Sequence, residues 1–244
     1  MIKTLFKALL LVAVVGYLVF ALVKVSRTPG EIVCSGVEYT FSDTVGVRLV
    51  DEASLEKLLG QSKISPKGKA LDEIDVRQIE QSLMKSPYVD TVTCYHTAAG
   101  KLCIRVTPRC PIMHVFADDG DEFYVSNTGM VMPAGGLSVD LPIITGHVTR
   151  KFASSRLIPL AKILCSDEYW SREAQQVNID KQENVEIIPR VNEQKVLLGE
   201  ARNFNQKLQH VRLFYEKAMP KVGWNKYSVI DASFDNQIIC TRRK

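Results

Sequence analysis

The sequence predicts an α+β protein: one membrane-spanning helix, then a β-α-α-β-β unit, then a mixed β-rich domain with two helices. Three observations carry this reading. An uncharged apolar run stands near the start, from Ala8 to Val23. Between Ile32 and Val106 the patterns follow in the order strand, helix, helix, strand, strand. After Pro108 short β-branched and aromatic runs alternate with Gly, Asn and Asp turns. Composition agrees, since 244 residues that are 46% hydrophobic and 24% charged, with 14 Gly and 10 Pro, exclude collagen-like, low-complexity and wholly disordered chains. The boundaries read as a short tail (1–7), the spanning helix (8–25), a first domain (29–107) and a second (108–244).

The apolar run is about 24 Å long as a helix. Lys7 and Lys24 can lay their stems along its ends and reach the headgroups, which brings the span near the roughly 30 Å hydrocarbon core. A cleaved signal peptide is the alternative. Its apolar region is typically about 7–15 residues and ends at a small-x-small site. This run is longer, and cutting after Val19-Phe20-Ala21 would leave Leu22 and Val23 behind, so it reads as an uncleaved anchor. The short tail stays inside while the long domain is exported, which makes the chain single-pass.

In the first domain, Ile32–Tyr39 reads as a strand. Asp51 can cap a helix that places Leu55, Leu58 and Leu59 on one face before Gly60 stops it. Asp75 and Gln78 open a second helix with the stripe Val76, Ile79 and Leu83, and Pro87 blocks its continuation. Val89–Tyr95 and Lys101–Val106 form a hairpin around Thr97-Ala98-Ala99-Gly100. Parity puts Cys94 beside Val92 but sets Cys103 opposite to Leu102 and Ile104, which argues against a Cys94–Cys103 bridge.

The second domain starts with strands at Ile112–Phe116, Phe123–Val125 and Met130–Met132. A helix is expected at Leu157–Cys165, where Pro159 is tolerable only in the first turn. Further strands read at Val177–Ile179, Val185–Ile188 and Lys195–Leu198. Asn203 opens a longer helix with Leu208, Val211, Phe214 and Tyr215 on its apolar side. The chain closes on a strand pair, Tyr227–Phe234 and Gln237–Cys240, joined at Asp235-Asn236.

No constellation of catalytic chemistry stands out. Asp119-Gly120-Asp121-Glu122-Phe123 resembles a cyclase signature but fits an acidic hairpin turn better. The neighbouring acids lack EF-hand spacing. The six cysteines and four histidines lack zinc spacings. There is no G-x-S-x-G, P-loop or H-E-x-x-H. The sequence therefore assigns no catalytic, cofactor or metal residue.

The order of motifs resembles the FtsQ/DivIB family of bacterial cell-division proteins. It runs through Leu71-Asp72-Glu73-Ile74-Asp75, Pro87-Tyr88-Val89, Leu102-Cys103-Ile104-Arg105-Val106 and Arg109-Cys110-Pro111-Ile112. It continues through Phe123-Tyr124-Val125-Ser126-Asn127-Thr128-Gly129, Leu141-Pro142-Ile143-Ile144-Thr145-Gly146, Gly223-Trp224-Asn225-Lys226-Tyr227 and Phe234-Asp235-Asn236-Gln237. The likeness covers nearly the whole chain. Two departures are that the first strand region lacks the family's glycine turn and that residues 149–185 match loosely.

The resemblance implies a POTRA-like domain followed by a β domain, in a non-enzymatic scaffold that needs no cofactor. Its implied partners are FtsB-like and FtsL-like bitopic coiled-coil proteins, with other division proteins met through the POTRA-like domain and the spanning helix, and its implied task is to help control septal peptidoglycan synthesis. Its implied place is the bacterial inner membrane, amino terminus cytoplasmic, carboxy-terminal domain periplasmic, enriched at the septum. By the same resemblance, the closing strands receive the FtsB-like partner through Ile230, Ala232, Phe234, Asn236, Gln237, Ile238, Ile239 and Cys240, so Ile238→Pro is expected to break the contact. Two other classes are a POTRA-type envelope transport or chaperone component and a membrane-tethered exported enzyme. The first normally adjoins an outer-membrane barrel, whose strand pattern does not follow here. The second lacks motifs.

Charge agrees with this placement. The chain carries 31 bases against 27 acids, a formal +4. Lys3, Lys7, Lys24 and Arg27 are the only charged side chains in residues 1–27, so everything after them is formally neutral. The excess marks the membrane end and supplies no dense basic patch for nucleic acid.

Overall fold

A computed structural model describes residues 2–25, 32–42, 48–136, 139–190 and 194–243. The apolar run lies in α1 (Ile2–Val25), which begins ahead of Ala8, and its large side chains from Leu10 to Leu22 are exposed. Among the described residues no helix is long and apolar enough to cross a membrane. The expectation of a spanning helix over 8–25 is therefore not met among the described residues.

The remainder divides into two units. Besides the amino-terminal segment, the first holds residues 52–85 and 91–106, and the second holds 107–244. Residues 48–51 and 86–90 group with the second unit.

In the first unit the order is β1 (Gly36–Phe41), α2 (Glu52–Gln61), α3 (Val76–Leu83), β2 (Val89–His96) and β3 (Lys101–Pro108). The β-α-α-β-β order matches the expectation, although the first strand begins at Gly36 and not at Ile32. The sheet order is β1-β3-β2, with β1 parallel to β3 from Gly36 opposite Lys101 to Phe41 opposite Val106. Asp75 caps α3, its Oδ1 accepting from the amides of Arg77 (3.0 Å) and Gln78 (3.1 Å). Leu55 of α2, Ile79 and Leu83 of α3, and Leu102 and Ile104 of β3 are fully buried. Each such side chain contributes about 1.5–3 kcal/mol. Cys34, Cys94 and Cys103 are all buried free thiols. Cys103 is buried despite its parity, while Lys101 and Arg105 on the same face of β3 are exposed.

The second unit builds one sheet from β4 (Pro111–Ala117), β5 (Glu122–Ser126), β6 (Val131–Pro133), β7 (Ile143–Gly146), β8 (Ala174–Ile179), β9 (Val185–Pro189), β10 (Lys195–Gly199), β11 (Tyr227–Asp231) and β12 (Ile239–Arg242). Among the described residues its order is β12-β11-β10-β9-β8-β7-β4-β5-β6. The acidic stretch is the expected hairpin turn, with Gly120 at φ +86° and its amide donating to Ala117 O at 3.0 Å. Arg150 grips that turn with both Asp121 oxygens (2.6 and 2.8 Å), and its hydrogen bonds hold the Asp121 carboxyl below its ordinary value.

The first helical region is longer than expected. Thr149 caps α4 (Arg150–Phe152), which passes through a π turn at Ala153–Leu157 into α5 (Ile158–Ser166), with Pro159 in the first turn. Asp167 then caps α6 (Glu168–Glu173). The second region is α7 (Phe204–Lys217) and α8 (Met219–Val222), with Leu208, Val211 and Tyr215 buried. These helices and the strands share one core, which includes Met113, Val115, Ile144, Leu157, Leu160, Trp170, Val196 and Ile230.

Burial sets the alkaline limit of the fold. It raises the Cys94 thiol to about 12, with Glu80 adding to it, and raises the Tyr39 and Tyr169 phenols to about 12. The fold therefore favours the neutral forms. The stability they contribute is complete below the ordinary thiol and phenol values of about 8.5 and 10 and is lost as pH climbs through about 12. Urea midpoints measured at rising pH are expected to fall above about pH 9, the thiol titrating first. Cys94→Ala is expected to flatten the first part of that fall.

Candidate functional site

The strands at the carboxy terminus close the sheet, and one of them has an open side. β11 lies between two neighbours. It runs parallel to β10 (Lys195 opposite Val229, Leu197 opposite Asp231) and antiparallel to β12 (Ile230 opposite Cys240, Asp231 opposite Ile239). Its backbone is thus occupied on both sides. β12 is the terminal strand of the sheet among the described residues, with a partner only on its β11 side.

Two hydrogen bonds fix which amides of β12 point outward. The Ala232 amide donates to Leu197 O of β10 at 2.8 Å, so in period two the amides of Val229 and Asp231 face β12. The Arg243 amide donates to Lys226 O at 3.0 Å, so those of Ile239 and Thr241 also face inward. The amides and carbonyls of Cys240 and Arg242 then face the open side. An edge of this kind is a template for another strand.

The chain leading into the edge is pinned from below. Asp231 Oδ1 accepts from the Ser233 amide (2.9 Å) and hydroxyl (2.6 Å), which turns the chain sharply after β11. Gly199, at φ +65°, leaves room for that turn, because a Cβ there would lie 2.7 Å from the Ser233 Cβ. The buried Lys207 ammonium donates to Leu198 O (2.6 Å) and Glu200 O (3.0 Å), tying α7 to the end of β10. Burial, helped by Arg202, lowers the Lys207 pKa.

The eight residues expected to meet a partner fall into four environments. Ile230 and Ala232 are buried in the core, so their side chains support the edge and present nothing to a partner. Phe234, Asn236 and Gln237 lie in the exposed turn between the strands, Phe234 at 47% exposure. Ile238 is half-buried and precedes the strand, so the expected ladder donor at Ile238 is outside the ladder. Ile239 (46% exposed) and the half-buried Cys240 belong to β12 itself. The expected pair therefore shifts: β11 stops at Asp231, where the Ser233 turn captures the chain, and β12 starts at Ile239. Thr241 and Arg242 complete the edge and were not expected from sequence. The β-branched Thr241 was their one signal.

A separate cleft of about 490 Å³ is lined by Cys110, Ile112, Leu141, Pro142, Leu164, Cys165 and Trp170, with Asp140 and Arg190 among its polar groups. The Cys165 thiol donates to Ile112 O at 3.2 Å, and burial raises its pKa, away from the nucleophilic thiolate. His114, the one buried histidine among the described residues, is stacked on Phe116 and Tyr124 and bonded to Glu122 Oε1 at 2.9 Å. Among the described residues no group of His, Cys, Asp and Glu could hold a metal ion.

Comparison with known families agrees with the two units. The family described as FtsQ/DivIB, C-terminal related, matches residues 110–241, and a POTRA-like domain matches residues 32–107. No curated protein sequence matches the chain.

Proposed function

Because this chain belongs to the FtsQ/DivIB family, we propose that it is a membrane-tethered, non-enzymatic scaffold of bacterial division that receives a partner strand on β12. The open edge of β12 carries the reading. It ends a sheet that the match covers up to residue 241, and it offers two outward amides with their carbonyls at Cys240 and Arg242. Main-chain bonds to an added strand would give affinity, and neighbouring side chains such as Ile239 and Phe234 would give selectivity. The partners are bitopic coiled-coil proteins of the FtsB and FtsL kind, and the assembly helps control septal peptidoglycan synthesis.

The uncharged run Ala8–Val23 with its flanking bases supports tethering in the inner membrane, amino terminus inside and both domains in the periplasm. A fluorescent fusion of the full chain tests the placement. Recruitment to midcell in dividing cells is the expected result. An even envelope signal through constriction overturns it.

A further inference from the structure

The cleft of about 490 Å³ in the second unit has the size of a small-ligand site. Its lining comes entirely from residues between 110 and 190, so it is separate from the β12 edge. Ile112, Leu141, Pro142, Leu164 and Trp170 make the wall apolar, and Leu164 and Trp170 are buried. The polar lining is of another kind. Asn127, Asp140, Gln175 and Arg190 are exposed, and among the described residues their side chains make no hydrogen bond or ion pair. An apolar wall with a few convergent, unengaged polar groups is the usual make-up of a ligand site.

The sheet sets the spacing of the two charges. The Arg190 amide donates to Glu173 O at 2.7 Å, which carries the β8–β9 pairing one step beyond Ala174 opposite Pro189. On the other side of β8, Ile143 stands opposite Gln176, and the His114 amide donates to Pro142 O at 3.0 Å, so the ladder of β7 also runs back past its first residue. Three residues before Ile143, the same register brings Asp140 level with Glu173. Positions 140 and 190 thus flank position 173 across two strand spacings, roughly 10 Å.

We propose that the cleft binds a short free peptide of about three residues with an apolar middle side chain. Three extended residues span about 10 Å, which matches the distance between the charges. A single amino acid carries both charges on one carbon and matches it poorly. The peptide's carboxylate meets the Arg190 guanidinium, whose planar fork offers two parallel N–H donors. Its ammonium meets the Asp140 carboxylate, and its middle side chain lies against Ile112 and Trp170. Asn127 and Gln175 each hold a donor and an acceptor for the peptide groups between.

Calorimetric titration of the full chain in detergent micelles with alanyl-leucyl-alanine tests this. Saturable one-to-one binding is expected. Amidating the peptide's carboxyl or acetylating its amine is expected to weaken binding about tenfold or more, the range set by one charge-assisted bond. Arg190→Ala is expected to weaken the free peptide by the same factor and to leave the amidated peptide unchanged. Asp140→Asn is expected to do so for the free peptide and to leave the acetylated one unchanged. Both side chains are exposed, so neither change reaches the core. Absence of saturable binding overturns the proposal, as does equal affinity for the free and blocked peptides. Variants that bind the free peptide like wild type, or that weaken free and blocked peptides alike, overturn it too.

Discussion

Cys240→Pro is expected to abolish capture of the proposed FtsB-like partner while the domain remains folded. The amide at Cys240 faces the open side of β12, so proline removes a donor that the protein's own sheet does not use. An edge strand tolerates proline where its N–H faces solvent. The expected loss in partner affinity is about a hundredfold or more, since a ladder bond vanishes and the ring also obstructs an approaching strand. The thermal midpoint is expected to move by only a few degrees, about what 1 kcal/mol produces in a domain of this size. Ile238→Pro serves as the contrast. It lies ahead of the ladder and is expected to leave capture within about tenfold. The measurement is a titration of the purified full chain with the partner's exported segment. If Cys240→Pro binds like wild type, strand addition at β12 is wrong. If Ile238→Pro abolishes binding in a folded protein, contact runs through the turn instead.

Gly146→Ala is expected to destabilise the second unit by about 3–4 kcal/mol, with its thermal midpoint falling by roughly 6–15 °C. Gly146 ends β7, a central strand paired with β4 and β8. Its φ of +98° already disfavours a side chain. The close approach is worse, because a Cβ would lie 2.2 Å from Ile179 O and 2.7 Å from Asn178 Oδ1. The Ile179 carbonyl cannot step aside cheaply, since it accepts from the His147 amide at 2.9 Å. Gly120→Ala separates the two causes. Gly120 has a similar φ of +86° but open space around it, so only the backbone strain of about 1–2 kcal/mol applies. Differential scanning of the two variants checks the ranking. Equal losses would show that the contact at Ile179 contributes nothing.

Both results depend on features that the sequence displays only in part. Gly146 is visible in Leu141-Pro142-Ile143-Ile144-Thr145-Gly146, yet the stretch did not read as a strand. Four residues are too few for periodicity to show. The helix at Leu157–Cys165 was legible from its apolar spacing, whereas its extension back to Thr149 was not. That extension passes through a π turn, which breaks the period. The closing strands are two or three residues shorter at the turn than their composition suggests, because Ala232-Ser233-Phe234 is strand-like while Asp231 draws Ser233 into a side-chain turn.

The apolar run with its basic flanks, the β-α-α-β-β order, the Asp75 cap and the acidic hairpin turn are all legible along the chain. Each is settled by residues a few positions apart, through periodicity, capping and turn chemistry. Which strand is left open follows from the pairing of distant segments. Tyr227–Asp231 and Ile239–Arg242 look equally strand-like, but β10 pairs parallel with β11 after the α7–α8 crossover and so buries one and exposes the other. The same holds for Glu80. Along the chain it is one more polar residue of an amphipathic helix, and only packing sets its carboxylate against the Cys94 amide. Neighbours in a sheet are chosen by long-range pairing among segments with the same local pattern, and that choice leaves no trace in any one of them.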